Sequence, residues 1–301
     1  MRRKSFGDRA GFWGVLTPTL FAFLMVIIIP FVLGAYYSFT NWTGISGTAV
    51  KWVGLRNFQL ILEDTRFFYS FGLTAVYAAV SMVVINAVAF GLALLVTQEL
   101  KFKNIYRTGF FLPNLIGGLV LGYIWQFVFN AALPAIGGAL HSRFLQQSML
   151  SEPKTAFLAL IFVYSWQYAG YIMMIYIAAL QNVPRELTEA AAIDGAGTWE
   201  RLRHITLPMI APAFTVATFL TLVNSFKMYD VNVSLTNGLP SAEFAGQAVF
   251  GTELVAMNIY NTAFALNQMA RGQAKAVIFF IVLVVVSLIQ VYFNKKREVE
   301  L

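Results

Sequence analysis

Aromatic, amide and hydroxyl side chains recur at helical spacing in two strongly apolar segments of this 301-residue chain. The first set is Tyr164, Gln167, Tyr168 and Tyr171, and the second is Thr221, Asn224, Ser225 and Met228. Aromatic faces combined with a few hydrogen-bonding groups are a common means of binding sugars. Polar groups within an apolar span are costly and usually face the protein interior. These residues therefore predict a path for a polar solute, with hydrogen-bonded packing between helices as the alternative.

The connection between these two segments is polar and charged, and it predicts two short helices. Pro184 suits a first helical position because its missing N–H is not needed there. Gly195 and Gly197 end the first helix, and Thr198 can cap a second one. The first helix has a small apolar face rimmed by charge, which is suited to docking in a groove of another protein. The alternative is an amphipathic loop that rests on a membrane surface.

The sequence lacks the residues that several kinds of chemistry require. It contains no cysteine, no Walker-type phosphate loop and no H-E-x-x-H motif. The only two histidines, His141 and His204, fall in loops predicted on opposite sides of a membrane, which argues against a metal site. A G-x-S-x-G nucleophile elbow is also absent. We therefore expect no catalytic residue, no cofactor and no metal in this chain.

The composition predicts an all-α membrane protein. Hydrophobic residues make up 58% of the chain and charged residues only 12%, which is too apolar for a soluble domain. A helix needs about 20 apolar residues to cross the hydrocarbon core. The segments that meet this need are residues 12–34, 70–97, 108–130, 155–180, 209–235 and 275–293. The net charge of +7 is spread over basic residues in short loops, so we expect no nucleic-acid partner.

The distribution of basic residues predicts the orientation of the chain. With a cytoplasmic N-terminus, 13 lysines and arginines fall inside and 7 outside, as the positive-inside rule requires. Both termini and residues 181–208 are then cytoplasmic, and residues 236–274 form an external loop. Residues 244–266 are moderately apolar but contain Glu253, so we expect an amphipathic or re-entrant helix there. A seventh span is the alternative, and it would place the C-terminus outside.

Several motifs resemble the carbohydrate-type permease subunits of binding-protein-dependent ABC importers. The most specific is Glu189-Ala190-Ala191, then Gly195, Ile205 and Leu207-Pro208, in the polar connection. Further matches are Ala35–Thr40, Trp52–Phe58, Arg107 with Phe111–Pro113, Asn224–Lys227 and Leu235–Gly238. The chain is similar to the first of two permeases in systems for oligosaccharides, monosaccharides or glycerol phosphate. Gly238-Leu239-Pro240 departs from the Gly-Gly-Pro that is common there.

The resemblance implies a type I ABC importer permease fold, with residues 1–301 as one domain of six transmembrane helices. It implies a second permease as a heterodimer partner, two ATPase subunits that bind ATP and magnesium, and an extracellular solute-binding protein that delivers a carbohydrate. The location would be the plasma membrane of a bacterium or archaeon, in contact with lipid. The residues that would dock in the ATPase cleft are Glu189, Ala190, Ala191, Asp194, Gly195 and Ala196. Tyr171 is similar to a tyrosine that lines the substrate site of maltose-type permeases.

Two other classes of protein make different demands on the sequence. A secondary transporter or channel would need buried coupling carboxylates or a broken-helix ion site, and Asp230 is the only acid predicted within a span. An intramembrane enzyme would need a metal or a nucleophile.

Two further patterns concern contacts between and along helices. Lys227 precedes Asp230 by three residues, close enough to pair on one helix face. Gly118 and Gly122 form a G-x-x-x-G pattern, which permits close contact between helices.

Overall fold

The computed structural model describes residues 6–45, 47–98 and 100–296, with side chains described from residue 11 onwards. The basic residues Arg2, Arg3, Lys4 and Arg297, which contribute to the predicted orientation, lie outside the described residues. Across the described ranges, regular structure is helical apart from one β-hairpin and an isolated bridge.

Thirteen helical segments follow one another along the described chain. They are α1 (Gly11–Tyr37), α2 (Arg56–Leu62), α3 (Thr65–Thr97), α4 (Lys103–Phe111), α5 (Gly118–Ala139), α6 (Arg143–Gln146), α7 (Pro153–Gln181), α8 (Arg185–Ile193), α9 (Thr198–Met209), α10 (Ala211–Phe226), α11 (Asp230–Leu235), α12 (Val255–Tyr260) and α13 (Met269–Lys295). The helix that contains α1 begins at Phe6. π-Helical turns interrupt α1, α5 and α9 and follow α12, at Leu24–Ile28, Val128–Ala132, Leu202–Thr206 and Asn261–Ala265.

Five of these helices, α1, α3, α5, α7 and α13, are long and apolar enough to cross a membrane. A sixth span results if α9 and α10, which meet at a bend of 70°, are counted as one broken span. The described chain therefore confirms the predicted all-α membrane protein and its number of spans.

The predicted third span, residues 108–130, is wrong in its bounds. A 3-10 turn at Leu112–Leu115 separates α4 from α5. Pro113 has no N–H to donate, and Ile116 is extended, with φ −81° and ψ 126°, so the helix cannot continue through this point. The apolar helix that can cross the membrane is α5, which begins beyond the break.

The predicted fifth span, residues 209–235, is interrupted near its end. α10 ends at Phe226, and α11 begins at Asp230. The single helix face on which Lys227 and Asp230 were expected to pair therefore does not exist. Lys227 instead follows the negative end of α10 and Asp230 opens α11, so each charge is favourable to the dipole of its own helix.

A β-hairpin occupies part of the region in which the sequence predicts a helix. Strands β1 (Ser241–Phe244) and β2 (Gln247–Phe250) pair in antiparallel fashion. Ala245 and Gly246 form the turn, with φ of 49° and 72°, as a two-residue turn of type I′ requires. The helical prediction for residues 244–266 is therefore wrong at its start. It is correct from Val255, where α12 begins, to the end of the π-helical turn at Ala265.

Contacts divide the chain into two compact units. One contains the chain up to Asp64 together with Ile259–Phe280, and the other contains Thr65–Asn258 together with the chain from Ile281 onwards. Helix α13 contributes residues to both units. A single transmembrane domain over residues 1–301 stays a prediction.

In the first unit, Asn57 holds the loop that follows α1. Its Nδ2 donates hydrogen bonds to the carbonyl oxygens of Ser38 and Thr40, at 2.7 and 2.8 Å. Gly54 has a φ of +60°, which favours glycine. These contacts give a structural reason for both residues in the motif Trp52–Phe58.

A charge cluster lies in the same unit. Asp64 Oδ2 accepts from Lys275 Nζ at 2.8 Å and from Arg271 Nη2 at 3.0 Å. The Lys275 side chain is only 2% exposed, and its Nζ also donates to Thr262 Oγ1 at 2.8 Å. A buried cation without such partners would be strongly destabilising, so the cluster explains how α13 can carry a buried lysine in its second turn.

The core of the second unit forms where α3, α7 and α10 pack together. Asn86 Nδ2 donates to Thr221 Oγ1 at 2.9 Å, and the Tyr176 hydroxyl donates to Asn86 Oδ1 at 2.6 Å. One amide thus links three helices by hydrogen bonds within apolar surroundings. Gly170 lets α4 approach α7 so closely that a Cβ there would overlap the carbonyl oxygen of Phe110.

Candidate functional site

The second unit contains a polar cavity of about 310 Å³. It lies where α7 and α10 meet the start of α5 and the segment that joins α10 to α11. Its lining residues are Asn114, Gly118, Tyr164, Gln167, Tyr168, Asn224, Lys227, Met228, Tyr229, Asp230 and Val231. Phenols, amides and one residue of each charge therefore share one space.

Two stacked tyrosines form one side of this cavity. The ring centroids of Tyr164 and Tyr168 lie 5.5 Å apart, with 13° between the ring planes. Their spacing of four residues places both rings on one face of α7. Asn224 Nδ2, from α10, donates to the Tyr168 hydroxyl at 2.6 Å and so fixes the second ring. The result is an aromatic surface with hydrogen-bonding groups at its edge.

Gln167 connects α7 to the break before α5. Its Nε2 donates to the carbonyl oxygen of Ile116 at 2.9 Å. Ile116 is extended, so this carbonyl is directed away from any helical ladder. The break that the sequence did not predict therefore positions Gln167 in the cavity wall.

Most of the residues predicted to line a solute path face the cavity, namely Tyr164, Gln167, Tyr168, Asn224 and Met228. Tyr171, Thr221 and Ser225 do not line it. Thr221 and Ser225 are fully buried, and Thr221 accepts a hydrogen bond from Asn86. The ring of Tyr171 packs 5.3 Å from the ring of Tyr168. Thr221 thus contributes to packing between helices, and the part of all three residues in a solute path stays a prediction.

The cavity also includes residues that sequence analysis left out of the path. Asn114 lies in the 3-10 turn before α5, and Lys227, Tyr229 and Asp230 lie at the break between α10 and α11. Both breaks interrupt an apolar segment. A proline marks the first break and a charged residue marks the second, and both are signals that the sequence offers.

Close contact between α5 and α11 places Asp230 at the cavity. A Cβ on Gly118 would lie 2.8 Å from the Cβ of Asp230, and a Cβ on Gly122 would overlap the hydroxyl of Ser234. Ser234 Oγ also donates to the carbonyl oxygen of Gly118 at 3.3 Å. The expectation that this G-x-x-x-G pattern permits close helix contact is confirmed.

A second candidate site is the helix–turn–helix formed by α8 and α9. Pro184 is the N-cap of α8, with ψ 130°, and is not its first helical residue as predicted. Gly195 has a φ of +85°, so the chain turns in the left-handed region that glycine favours. The N–H of Gly197 donates to Glu200 Oε2 at 2.7 Å, so Gly197 is the N-cap of α9 in place of Thr198.

Apolar side chains project from this charged helix–turn–helix. Leu187, Ile193 and Trp199 are 47%, 87% and 67% exposed. The predicted ATPase-docking residues Glu189, Ala190, Ala191, Asp194, Gly195 and Ala196 are all exposed or half-exposed. Large exposed apolar groups rimmed by charge are typical of a surface that contacts another protein. Trp199 was not predicted because it lies beyond the turn, outside the small apolar face of α8.

A partly buried ion pair ties the segment that follows the β-hairpin to α3. Glu253 is fully buried and accepts from Arg66 Nε at 2.6 Å and from Asn258 Nδ2 at 3.0 Å. A second contact, with Arg66 Nη2, makes the pair bidentate. The Tyr69 hydroxyl donates to the carbonyl oxygen of Gly251 at 2.8 Å. The carboxylate that argued against a membrane span is thus neutralised by an arginine.

Helices long and apolar enough to cross a membrane, a polar cavity within the second unit and an exposed loop with apolar side chains indicate a multi-pass membrane permease. The chain belongs to the family described as "Binding-protein-dependent transport system inner membrane component", whose profile matches residues 87–299. The matched range contains the lining of the cavity and the whole helix–turn–helix. Members of this family are permease subunits of transport systems.

The chain is similar to named permeases over almost its full length. It is 45% identical over 300 residues to the "Probable starch degradation products transport system permease protein AmyD" of Thermoanaerobacterium thermosulfurigenes, covering 100% of this chain and 99% of that protein. It is 33% identical over 287 residues to the "Multiple sugar-binding transport system permease protein MsmF" of Streptococcus mutans. This match covers 95% of this chain and 96% of that protein.

The fold is similar to that of a solved bacterial ABC transporter involved in the import of the acidic polysaccharide alginate. The TM-score is 0.79, the match covers 95% of both chains, and the sequences are 17% identical. Identity this low carries an argument about the fold alone. The chain therefore has the fold of a type I ABC importer permease.

Proposed function

We propose that this chain forms the transmembrane route for a carbohydrate that an extracellular solute-binding protein delivers. The observation that carries the proposal is the cavity in which the stacked rings of Tyr164 and Tyr168 adjoin the amides of Gln167 and Asn224. Aromatic faces with a few hydrogen-bonding groups are the usual means of sugar binding. Relatives named for starch degradation products and for multiple sugars support the same substrate class.

The lining residues have separate tasks in this proposal. The half-buried Tyr168 ring, supported by the Tyr164 ring on which it stacks, stacks against the apolar face of a sugar ring. The amides of Asn114 and Gln167 exchange hydrogen bonds with sugar hydroxyls. Lys227 and Asp230 together leave the lining without net charge, which suits a neutral sugar.

The energy for transport comes from partners in this proposal. Two ATPase subunits bind ATP and magnesium, and a second permease completes a heterodimer in the inner membrane of a bacterium or archaeon. Val15, Phe21 and Val26 of α1 are 80%, 60% and 72% exposed, which suits contact with lipid and with the second permease. A solved structure of similar fold is a bacterial alginate ABC transporter in complex with a periplasmic protein that holds an alginate pentasaccharide.

The helix–turn–helix within residues 181–208 is the proposed coupling element on the cytoplasmic side. Glu189, Ala190, Ala191, Asp194, Gly195 and Ala196 dock in the ATPase cleft. The alanines permit close approach, Glu189 meets a basic group, and Gly195 sets the angle between α8 and α9. Ile193 and Trp199 supply exposed apolar area to the same contact. Closure of the ATPase dimer then moves α8 and α9 and reopens the spans outward.

Co-purification of the tagged chain from mild detergent, with mass spectrometry of its companions, tests this function. We expect to recover an ATPase and a second permease with the unmodified chain. The double substitution Glu189→Lys and Gly195→Pro should lose the ATPase because it reverses a charge and changes the turn. Glu243→Lys, which changes an exposed glutamate of the β-hairpin, is the matched control and should retain both companions.

The opposite result is equally specific. A chain that purifies alone, and that moves sugar into vesicles without ATP, would be a secondary transporter and would contradict the proposal. Loss of the ATPase from the Glu243→Lys control as well would show that the helix–turn–helix is not the particular point of contact.

A further inference from the structure

An amphipathic groove of about 570 Å³ lies beside the helix–turn–helix, at the ends of α3 and α7. Leu94 and Leu180 line its apolar part, and Arg185 and Arg201 line its polar part. The two arginines belong to α8 and α9, which carry the proposed coupling surface. The groove shares no lining residue with the solute cavity. It is called the arginine groove below.

The arginine groove is positively charged. Its described lining holds two arginines and no carboxylate. Neither Arg185 nor Arg201 takes part in an ion pair among the residues that the structure describes. Arg201 Nε is buried without an acceptor in that part of the chain, and its Nη2 reaches Thr198 Oγ1 only at 3.4 Å. Guanidinium groups bind phosphate through forked hydrogen bonds, so the groove suits a phosphate-bearing ligand.

The groove lining combines leucines at the ends of two spans with polar and charged residues of the loop. Leu94 lies one turn before Thr97, where α3 ends, and Leu180 lies in the last turn of α7. Gln98 and Gln181 follow at the helix ends, and the arginines lie farther along the chain. A ligand that fits needs an apolar chain beside the leucines and an anionic group beside the arginines. A phospholipid meets both needs, whereas a free phosphate meets only the second.

We propose that the arginine groove binds an anionic phospholipid of the cytoplasmic leaflet, with the headgroup phosphate held by Arg185 and Arg201. The bound lipid braces α8 against α9, so the coupling of ATP hydrolysis to transport depends on lipid composition. This inference rests on the cytoplasmic placement of residues 181–208 proposed above. Basic pockets at the cytoplasmic ends of spans attract anionic headgroups.

Lipid retention by the complete complex tests the assignment. The complex is placed in nanodiscs of phosphatidylcholine with or without phosphatidylglycerol, released, and analysed by native mass spectrometry. The unmodified complex should retain phosphatidylglycerol in preference to phosphatidylcholine. The double substitution Arg185→Gln and Arg201→Gln should retain about tenfold less phosphatidylglycerol. Arg203→Gln removes an exposed arginine of α9 that does not line the groove, and it should behave as the unmodified chain.

Competition by inorganic phosphate separates a lipid from a free anion. Phosphatidylglycerol retention should not change in a large excess of phosphate, because the leucines hold the apolar chain. Displacement by phosphate would overturn the lipid assignment and give the groove to a soluble phosphate-bearing ligand.

ATP hydrolysis by the reconstituted complex tests the consequence for coupling. Phosphatidylglycerol should raise hydrolysis in the unmodified complex and in Arg203→Gln, and it should leave the double variant unchanged. Equal lipid retention by the double variant and the unmodified chain would overturn the inference. Loss of the ATPase subunits from the double variant in both lipids would also overturn it, because the groove would then receive an acidic side chain of the ATPase.

Two controls keep the result independent of folding and of the proposed function. Arg201→Lys keeps the charge but not the forked geometry, so it should show a partial loss of retention even if the chain with the double substitution fails to fold. Lipid retention is measured without any transported sugar. If no sample transports sugar but retention differs as expected, the proposed function fails and the lipid site stands.

Discussion

The exposed helix–turn–helix and the solute cavity lie in the same compact unit, but they depend on contacts of different range. In the helix–turn–helix, the N–H of Gly197 bonds to Glu200, three residues away. In the cavity, Asn224 bonds to Tyr168 across 56 residues. The conformation of the helix–turn–helix is therefore set by contacts between residues close in sequence. The cavity forms only when the helices have assembled.

This difference predicts separate responses to substitution. A change in the helix–turn–helix should alter what it binds while the fold remains intact, because its side chains are exposed. A change among the assembled helices that support the cavity should act through the packing of α3, α4, α7 and α10.

Gly170→Val should have the largest effect, because it blocks the packing of α4 on α7. A Cβ at this position would overlap the carbonyl oxygen of Phe110, which belongs to the backbone and cannot rotate away. We expect no folded protein by size-exclusion chromatography of the fluorescently tagged chain. Gly91→Val is the control, since a Cβ there would meet no other part of the described chain within 4 Å beyond the backbone of its own helical turns. Equal single peaks for both variants would contradict the prediction.

Trp199→Ala should reduce sugar uptake about tenfold and leave the melting temperature unchanged. The side chain is 67% exposed, so its main contact is expected with the ATPase. Uptake into vesicles and thermal unfolding of the purified chain are measured together. Phe144→Ala removes a side chain that is 80% exposed outside this loop, and it should not affect uptake. A lower melting temperature for Trp199→Ala would show a structural role in its place.

Asn86→Leu should destabilise the second unit by about 1–2 kcal/mol, which thermal unfolding of the purified chain measures. The substitution removes the hydrogen-bond partner of the Tyr176 hydroxyl and of Thr221. Adding Tyr176→Phe should restore part of the lost stability, because it removes a hydroxyl that would otherwise be buried without its partner. Strictly additive effects of the two substitutions would show that the network does not act as a unit.

Tyr168→Phe should have the smallest effect, a rise of about threefold in the sugar concentration for half-maximal uptake. The variant keeps the ring stacked on Tyr164 but loses the hydrogen bond with Asn224. Tyr171→Phe is the matched control and should leave uptake unchanged, since Tyr171 does not line the cavity. If only Tyr171→Phe weakened uptake, the sugar contact would belong to Tyr171, the residue that resembles the maltose-type tyrosine, and not to Tyr168.

Hydropathy and the positions of turn-forming residues are sufficient to predict much of the fold. Long apolar runs place α3, α7 and α13 within a few residues of their bounds, because a span depends mainly on average hydropathy. Gly195 predicts the turn between α8 and α9, because its left-handed conformation is a property of the residue itself. The sequence also predicts that Tyr164 and Tyr168 lie together, since residues four apart share a helix face.

The remaining features depend on partners that are distant in the sequence. The breaks before α5 and after α10 affect too few residues to change the hydropathy of a span. The charge of Glu253 predicts an exposed side chain. Its burial depends on the ion pair with Arg66, which is 187 residues away in the sequence. The bond from Gln167 to Ile116 likewise exists only because the third span is interrupted. Such pairs cannot be read from one sequence.

The turn of the β-hairpin has a practical consequence for labelling the chain. Ala245 and Gly246 are both exposed, and a Cβ at Gly246 would meet no heavy atom of the described chain within 4 Å. The strands on each side are held by their own pairing, so a short epitope inserted at the turn leaves their register intact. An antibody applied to intact cells then reads this epitope from one side only, and the hairpin becomes a visible marker for the polarity of the whole chain.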